Sequence, residues 1–322
     1  MDAALTWNSL TLEDDEQLTD LYNHLAEVDR TEEFIEIESV REELRTLRLD
    51  LARDTVAVRD GDRLIGMGFA FVTDALDRED RARARVAGGV HADFRRQGIG
   101  TEILECTEAR VDEMLREKHP GADAHVQAGG GLEGDPVRYL LDAHGYRPVR
   151  TFVDLTRDLP GEPLTPSKDV EGIHLRTPED ADRESTHAAH VEAFRDHWGS
   201  APFPADSWAQ FWGSHTSRLE YSTIAVDDEG TVQSYCLTDQ WKEGQLYITL
   251  VGTRPGARGV GLARAVINRT LRLGIESGMF DRAGIDVDGE SLTGANELYA
   301  KLGFTLDKAF TSYDKDLGTV PT

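Results

Sequence analysis

Two stretches of this sequence carry an arginine–glycine spacing that can wrap backbone around a negatively charged group. Arg95-Arg96-Gln97-Gly98-Ile99-Gly100-Thr101 and Arg258-Gly259-Val260-Gly261-Leu262-Ala263 both read R-x-x-G-x-[G/A], and their leading arginines lie 163 residues apart. Small residues let such a turn approach a ligand without side-chain clash, so that backbone N–H groups and a helix N-terminus point at an anion. A leading arginine adds charge in a planar fork of donors. Two other phosphate-binding solutions are absent from the sequence. No G-x-x-x-x-G-K-[ST] string occurs, and the third glycine of a dinucleotide fingerprint is replaced by Ile103 in one copy and Arg264 in the other.

Other reactive side chains give weaker signals. His187, His190 and His197 fall on one predicted helical stretch, but no Cys or third ligand completes a metal set, so no metal is expected. His197-Trp198 pairs a titratable ring with an aromatic one and is a candidate for contact with a substrate. Cys106, just after the first glycine turn, reads as a buried thiol rather than a nucleophile.

The elements around the turns recur in the same order. In the first half a strand near residues 5–10 precedes a helix at 13–28 with Thr11 as cap, and a second helix spans 37–51. Residues 55–72 alternate about an Asp-Gly turn as a hairpin does, and "RARVAGGV" leads into the glycine turn and its helix. The second half repeats this with a strand and helix start at 173–182, a hairpin at 221–240, a strand at 245–253 and the second glycine turn with its helix at 258–275. A strand at 283–288 and the helix "GANELYAKLGF" follow. This implies an internal duplication. The fold class is α/β (α+β), each half a mixed, mostly antiparallel sheet flanked by helices. The Pro/Gly-rich stretch 159–172 reads as a linker between domains at 1–158 and 173–322.

Composition bounds the partners. A formal net charge of −25 opposes nucleic acid and anionic membrane surfaces; it would attract a cationic substrate such as an amine, and it equally fits solubility or a proteome adapted to salt. No apolar run reaches the length of a membrane span, and the N-terminus lacks the pattern of a signal peptide. Two distant cysteines, Cys106 and Cys236, fit reduced thiols in a cytoplasmic protein, a monomer or homodimer.

With its two R-x-x-G-x-[G/A] turns, each between a strand and an amphipathic helix, the chain resembles the GNAT acetyltransferase superfamily. The tandem arrangement is like that of mycothiol synthase and its relatives, and "AFRDHWGSAPFPADSWAQFW" and "TGANELYAKLGF" resemble segments of such proteins. The resemblance implies acetyl-CoA as co-substrate and transfer to the amine of a small molecule. In the second half it assigns cofactor contacts to Val251, Gly252 and Thr253, to Arg258 through Ala263, and to Ser291, which stands where relatives carry asparagine. In the first half the matching contacts are Val90 and Arg95 through Thr101. Tyr299, four residues before Gly303-Phe304, takes the place of the family's acid for the departing thiolate. Asp288 and Glu243 are candidates for the base, and His197, Trp198 and Tyr247 for acceptor contacts. The first half ends in Gly145-Tyr146, and counting back four residues from Gly145 reaches Leu141. Tyr139 is two positions off and should face elsewhere. The first domain is therefore expected to hold acetyl-CoA structurally or to be degenerate, with the second catalysing. The other reading is a non-catalytic acyl-CoA-binding scaffold.

Overall fold

A computed structural model describes residues 5–46, 49–77, 79–164, 166–195, 203–289 and 295–322. The first half contains β1 (Thr6–Asn8), α1 (Asp15–Val28), α2 (Ile37–Thr46), α3 (Leu51–Asp54), β2 (Thr55–Asp60), β3 (Arg63–Val72), β4 (Ala82–Val90), α4 (Ile99–Lys118), β5 (Asp123–Gly129), α5 (Pro136–Ala143) and β6 (Arg147–Asp158). The second contains β7 (Ile173–Arg176), α6 (Arg183–Ala193), α7 (Ala205–Trp212), β8 (Thr223–Asp227), β9 (Val232–Asp239), β10 (Gln245–Thr253), α8 (Leu262–Ser277), β11 (Arg282–Asp288), α9 (Ala295–Lys301) and β12 (Thr305–Thr319).

Strand pairing, not chain order, decides which residues belong together. One compact unit is Met1–Thr151 with Phe310–Thr322, and the other is Phe152–Ala309. In the first unit the strands run β1-β2-β3-β4-β5-β12, with Ser312 to Thr319 antiparallel to β5. In the second they run β6-β11-β10-β9-β8-β7, with Phe152 to Asp158 antiparallel to β11. Among the described residues each unit has one parallel pair, β4–β5 in the first and β10–β11 in the second. The division at 158 and 173 drawn from the sequence thus differs from the units: the end of β6 serves the second sheet and the chain's last strand the first. Most described residues of the stretch 159–172 are exposed, but it is anchored at two points. Leu159 is buried and donates its N–H to the Asp281 carbonyl at 2.7 Å, and Ser167 receives Asn268 Nδ2 at 3.1 Å.

Each unit opens on the same device. Asp14 accepts the Thr11 N–H at 2.8 Å and Arg59 at 2.5 Å; Asp182 accepts the Glu179 N–H at 2.8 Å and both Arg176 donors at 2.6 Å. The reciprocal capping box satisfies donors that a helix start leaves free. The helix expected at 37–51 is divided, because Asp50 caps a new turn by accepting the Ala52 N–H at 3.1 Å. Cys106 corrects its expectation too, since it lies on the exposed side of α4.

In the second sheet side chains alternate between two cores, as the two-residue period of a strand requires. Tyr235 and Leu237 join Ala189, Trp208 and Trp212 beneath α6 and α7. Cys236 joins Leu246, Val266, Ile285, Tyr299 and Phe304 beneath α8 and α9.

Candidate active site

The second unit has an opening in its sheet. β10 and β11 pair in parallel only from Gln245↔Arg282 to Tyr247↔Gly284, after which β10 continues to Thr253 and β11 to Asp288. Where they part, β10 bulges: Ile248 lies opposite Thr238 and Leu250 opposite Leu237, which leaves Thr249 as the extra residue. A bulge bends its strand away and strengthens the local twist. The resulting gap exposes a strand edge along Val251, Gly252 and Thr253, the kind of edge an extended ligand can hydrogen-bond.

The glycine turn stands at the end of that edge. Gly259 has φ 82° and Gly261 φ 95°, left-handed values that side chains resist, and α8 begins at the next residue. A Cβ added at either glycine would meet nothing within 4 Å, so the turn faces open space. The N–H groups of the first helical turn have no intrahelical acceptor and carry the positive end of the helix dipole. Arg258 is exposed and bonded to backbone: Nε donates to the Thr253 carbonyl at 3.2 Å and Nη2 to the Ala193 carbonyl at 2.9 Å. It ties the turn to the end of β10 and the end of α6.

Tyr299 sits on α9 in the core beneath the opening, 6% exposed, with the Phe304 ring edge-on at 5.9 Å. Among the described residues its hydroxyl has no hydrogen-bond partner. Burial, with the neighbouring Cys236, raises the phenol above its ordinary range, so it stays protonated at neutral pH and has a proton to give. Burial pushes the Cys236 thiol itself up to about 12, which keeps it inert. A buried arginine holds the end of α9. Arg157, 4% exposed on β6, donates to the carbonyls of Leu302 and Glu162, and a Cβ at Gly303 (φ 81°) would fall 2.1 Å from its Nη1. The sequence reading missed Arg157, which lies in the other half of the chain.

The face under α6 and α7 carries a second buried acid–base group. Asp239, at the end of β9, is 3% exposed and receives Thr216 Oγ1 at 2.9 Å and the hydroxyl of Thr249, the bulge residue. Burial raises its carboxyl above the ordinary value, against the pull of the two threonine hydroxyls, Arg218 and His215. Tyr247 pairs opposite Asp239 and lies against Trp241 with ring centroids 4.4 Å apart. Farther along, His190 Nδ1 and the Tyr235 hydroxyl are 2.7 Å apart, and that hydroxyl fills the space a Cβ on Gly252 would need.

The residues singled out from the sequence fall into groups. Val251 to Thr253 lie on β10 beyond its pairing with β11, the turn 258–263 follows them, Tyr247 is in the last β10–β11 pair, and Tyr299 belongs to the cluster against which Val251 packs. Asp288 is buried at the end of β11, opposite Phe152 of β6. Glu243 is exposed in the turn before β10, on the side where the strands remain paired, and stands apart from the opening. Ser291, His197 and Trp198 lie outside the described residues. His187, expected to face solvent or an acceptor pocket, is half-buried and bonds the Phe203 carbonyl at 2.7 Å, while His190 is buried among Phe194, Trp208 and Tyr235. Among the described residues, no group of three or more His, Cys, Asp or Glu could hold a metal ion.

The first unit repeats the plan without the opening's details. β4 follows β3 in unbroken register from Gly66↔Val90 to Val72↔Ala84 and pairs with β5 as far as Val86↔Ala128. Gly98 holds φ 87° before α4, and a Cβ on Gly100 would touch Val90 and Leu140 at 3.7 and 3.8 Å. Arg96, beside them, takes φ 63°. Both Arg95 terminal nitrogens bond Asp29 at 2.7 Å, and its Nε bonds the Val90 carbonyl at 3.0 Å. At the position matching Tyr299, Leu141 is 2% exposed, while Tyr139 points outward at 71%.

A splayed parallel pair with a bulge, ending at a glycine turn on a helix N-terminus, is the geometry of acyl-CoA-dependent transferases. The family model for the Acetyltransferase (GNAT) family matches residues 183–304, all within the second unit. A curated relative, the mycothiol acetyltransferase of Salinispora arenicola, is 30% identical over 273 residues, 81% of each chain. The chain belongs to the GNAT acetyltransferase family and is an acyl-CoA-dependent acetyltransferase, with acetyl-CoA as the family's co-substrate. A solved GCN5-related N-acetyltransferase from Sphaerobacter thermophilus superposes with TM-score 0.77 at 25% identity, covering 98% of this chain and 96% of that one. A tandem GNAT protein from the clavulanic acid biosynthesis pathway gives TM-score 0.71 at 18% identity, covering 97% and 98%. No described helix is long and apolar enough to cross a membrane.

Proposed function

We propose that the chain moves an acetyl group from acetyl-CoA directly to the primary amine of a small molecule, and that the second unit performs the transfer. The observation that carries this reading is the convergence, in one unit, of the bulged strand, the open glycine turn and a buried, protonated tyrosine. The thioester supplies an activated acetyl group. The backbone of Val251 to Thr253 holds the pantetheine arm along the strand edge, and the first turn of α8 receives the pyrophosphate. Tyr299 gives its proton to the departing thiolate, and the hydrophobic cluster around it keeps water from competing. The curated relative's name supports a small-molecule acceptor, and the net charge of −25 attracts a cationic one. The first unit keeps a glycine turn but has Leu141 in place of the acid, so it binds acetyl-CoA without turnover or serves as scaffold.

Replacement Tyr299→Phe is expected to lower kcat about 10²-fold, the range general acids contribute, with little change in the Kd for acetyl-CoA. CoA thiol release with an amine panel, beside calorimetry, measures both. An unchanged kcat removes the acid role from Tyr299. Binding of acetyl-CoA with no turnover on any amine favours a scaffold.

A further inference from the structure

The geometry points to Asp239 and Thr249 as a two-residue relay that takes the proton from the acceptor amine. This rests on the acetyltransferase reading of the same opening and adds a group that neither the family match nor the sequence motifs assign. Thr249 is the extra residue of the β10 bulge and lies where β10 leaves β11, so its position is fixed by the irregularity that creates the gap. It is half-buried, whereas Asp239 behind it is 3% exposed. The hydroxyl of Thr249 donates to one Asp239 oxygen and that of Thr216 donates to the other at 2.9 Å. Thr216 is itself held by Ser214 Oγ at 3.0 Å and by the Gln240 N–H donating to its carbonyl at 2.9 Å. The carboxylate therefore cannot turn away from Thr249.

The two sides of the sheet divide the work. Tyr299 belongs to the core beneath α8 and α9 with Cys236, while Asp239 follows Tyr235 and Leu237 on the α6 and α7 side by strand alternation. A thioester held in the gap has a proton donor on one face and a proton acceptor on the other. That separation suits direct transfer, because the amine loses a proton on one side of the reacting carbon and the thiolate gains one on the other. In the relay, one N–H bond of the ammonium breaks as its proton passes to Thr249 Oγ1. The Thr249 hydroxyl proton passes in turn to Asp239 Oδ2, and the nitrogen keeps the electron pair that forms the amide bond. After attack the acylated nitrogen still carries a second proton; its loss restores the Tyr299 phenol once the thiolate has taken the phenol's proton, which leaves a neutral amide, free CoA thiol and one proton on Asp239. The groups facing Asp239 are Arg218 and His215 from the segment between α7 and β8, and Tyr247 opposite it on β10. Burial holds its carboxyl above the usual range, which makes it a stronger proton acceptor when ionised.

The test uses the full chain with acetyl-CoA and four primary amines (ethanolamine, spermidine, glucosamine and glycinamide), following kcat/KM from pH 5 to 9. Asp239→Asn and Thr249→Val are each expected to lower kcat/KM by about 10²-fold at neutral pH with the best amine, without weakening acetyl-CoA binding. In wild type the rate rises with pH as Asp239 ionises; in Asp239→Asn that acidic limb is lost, which a merely structural change would not do. If Asp239→Asn does not fold, Thr249→Val decides alone, since it keeps the shape of the bulge. Wild-type rate and pH profile in Thr249→Val overturns the relay while leaving the acetyltransferase reading intact. Absence of turnover by wild type on all four amines overturns both.

Discussion

The two units share an order of elements, a capping device and a glycine turn, yet differ at one residue of strand register. In the second, β10 carries an extra residue at Thr249 and parts from β11 three pairs after it begins. In the first, β4 pairs with β3 without interruption and stays with β5 for five pairs. The rest of the contrast follows the same line. Behind the bulge lies a buried aspartate, and below it a tyrosine whose helix end is clamped by Arg157. Behind the regular strand the matching tyrosine is Leu141, and Gly145, although at φ 85°, has nothing within 4 Å of an added Cβ. A duplicated turn is cheap to retain, because it needs only small residues and a helix. The proposed chemistry depends on the bulge and on the groups behind it, and the bulge is a property of pairing.

Three experiments press on this contrast. Deleting Thr249 should give the largest effect: β10 would pair with β9 without interruption, as β4 does with β3, which removes the bend at the opening while residues 250–253 keep their partners on β9. Turnover is expected to fall by more than about 10²-fold, beyond the loss in Thr249→Val, because reacting groups displaced by an ångström already cost that much. Retained activity would mean that the bulge is incidental. Next, a β-branched side chain can be forced onto each turn. Gly261→Val should weaken acetyl-CoA binding in calorimetry by about 10-fold or more, since the left-handed conformation costs on the order of 1–3 kcal/mol and the turn would no longer admit a close ligand. Gly98→Val should destabilise the first unit similarly but leave turnover unchanged. A loss of turnover there would show that the first turn also takes part.

The smallest effect concerns the shared device. The Asp182 carboxyl is held below its ordinary value of 3.8, chiefly by the hydrogen bonds from Arg176. A depressed folded-state value contributes stability above the unfolded value, and that contribution is lost as pH falls through the folded one. Arg176 is 40% exposed, so solvent screens the pair, and Asp182→Asn should cost about 1 kcal/mol at pH 7. The gap between variant and wild type should close in denaturant melts as pH falls below 4. A gap independent of pH would assign the effect to the capping hydrogen bond alone.

Local signals carried much of this to the reader of the sequence. Both hairpins, both glycine turns and the helix bearing Tyr299 follow from short-range pattern, and the paired turns pointed to a tandem fold. Asp239 is hard to single out from sequence because the carboxylates nearest the motifs are Glu243 before β10 and Asp288 on β11. Asp239 comes instead from β9, and the bulge brings it the Thr249 hydroxyl beside that of Thr216. Arg157 was invisible for a related reason: its partner carbonyl at Leu302 is 145 residues away. Cys106 was misjudged because helix setting alone does not say which side faces out. Register, bulges and long-range pairing are decided by whole-sheet energetics, which a linear pattern carries weakly.

The exchange of end strands ties the molecule to the direction of its own synthesis. As the chain leaves the ribosome, residues 123–129 emerge early, but the strand that covers their edge, residues 312–319, follows only after the second unit. Throughout translation of the second half the nascent first unit presents an uncovered strand edge, the feature most prone to mispairing. The second unit has the opposite history, since residues 152–158 are waiting before the strand they cover, 282–288, has been made. A gene cut between the two repeats would therefore encode two fragments, each missing an edge strand, and the half bearing Tyr299 cannot be borrowed as a minimal enzyme without β6.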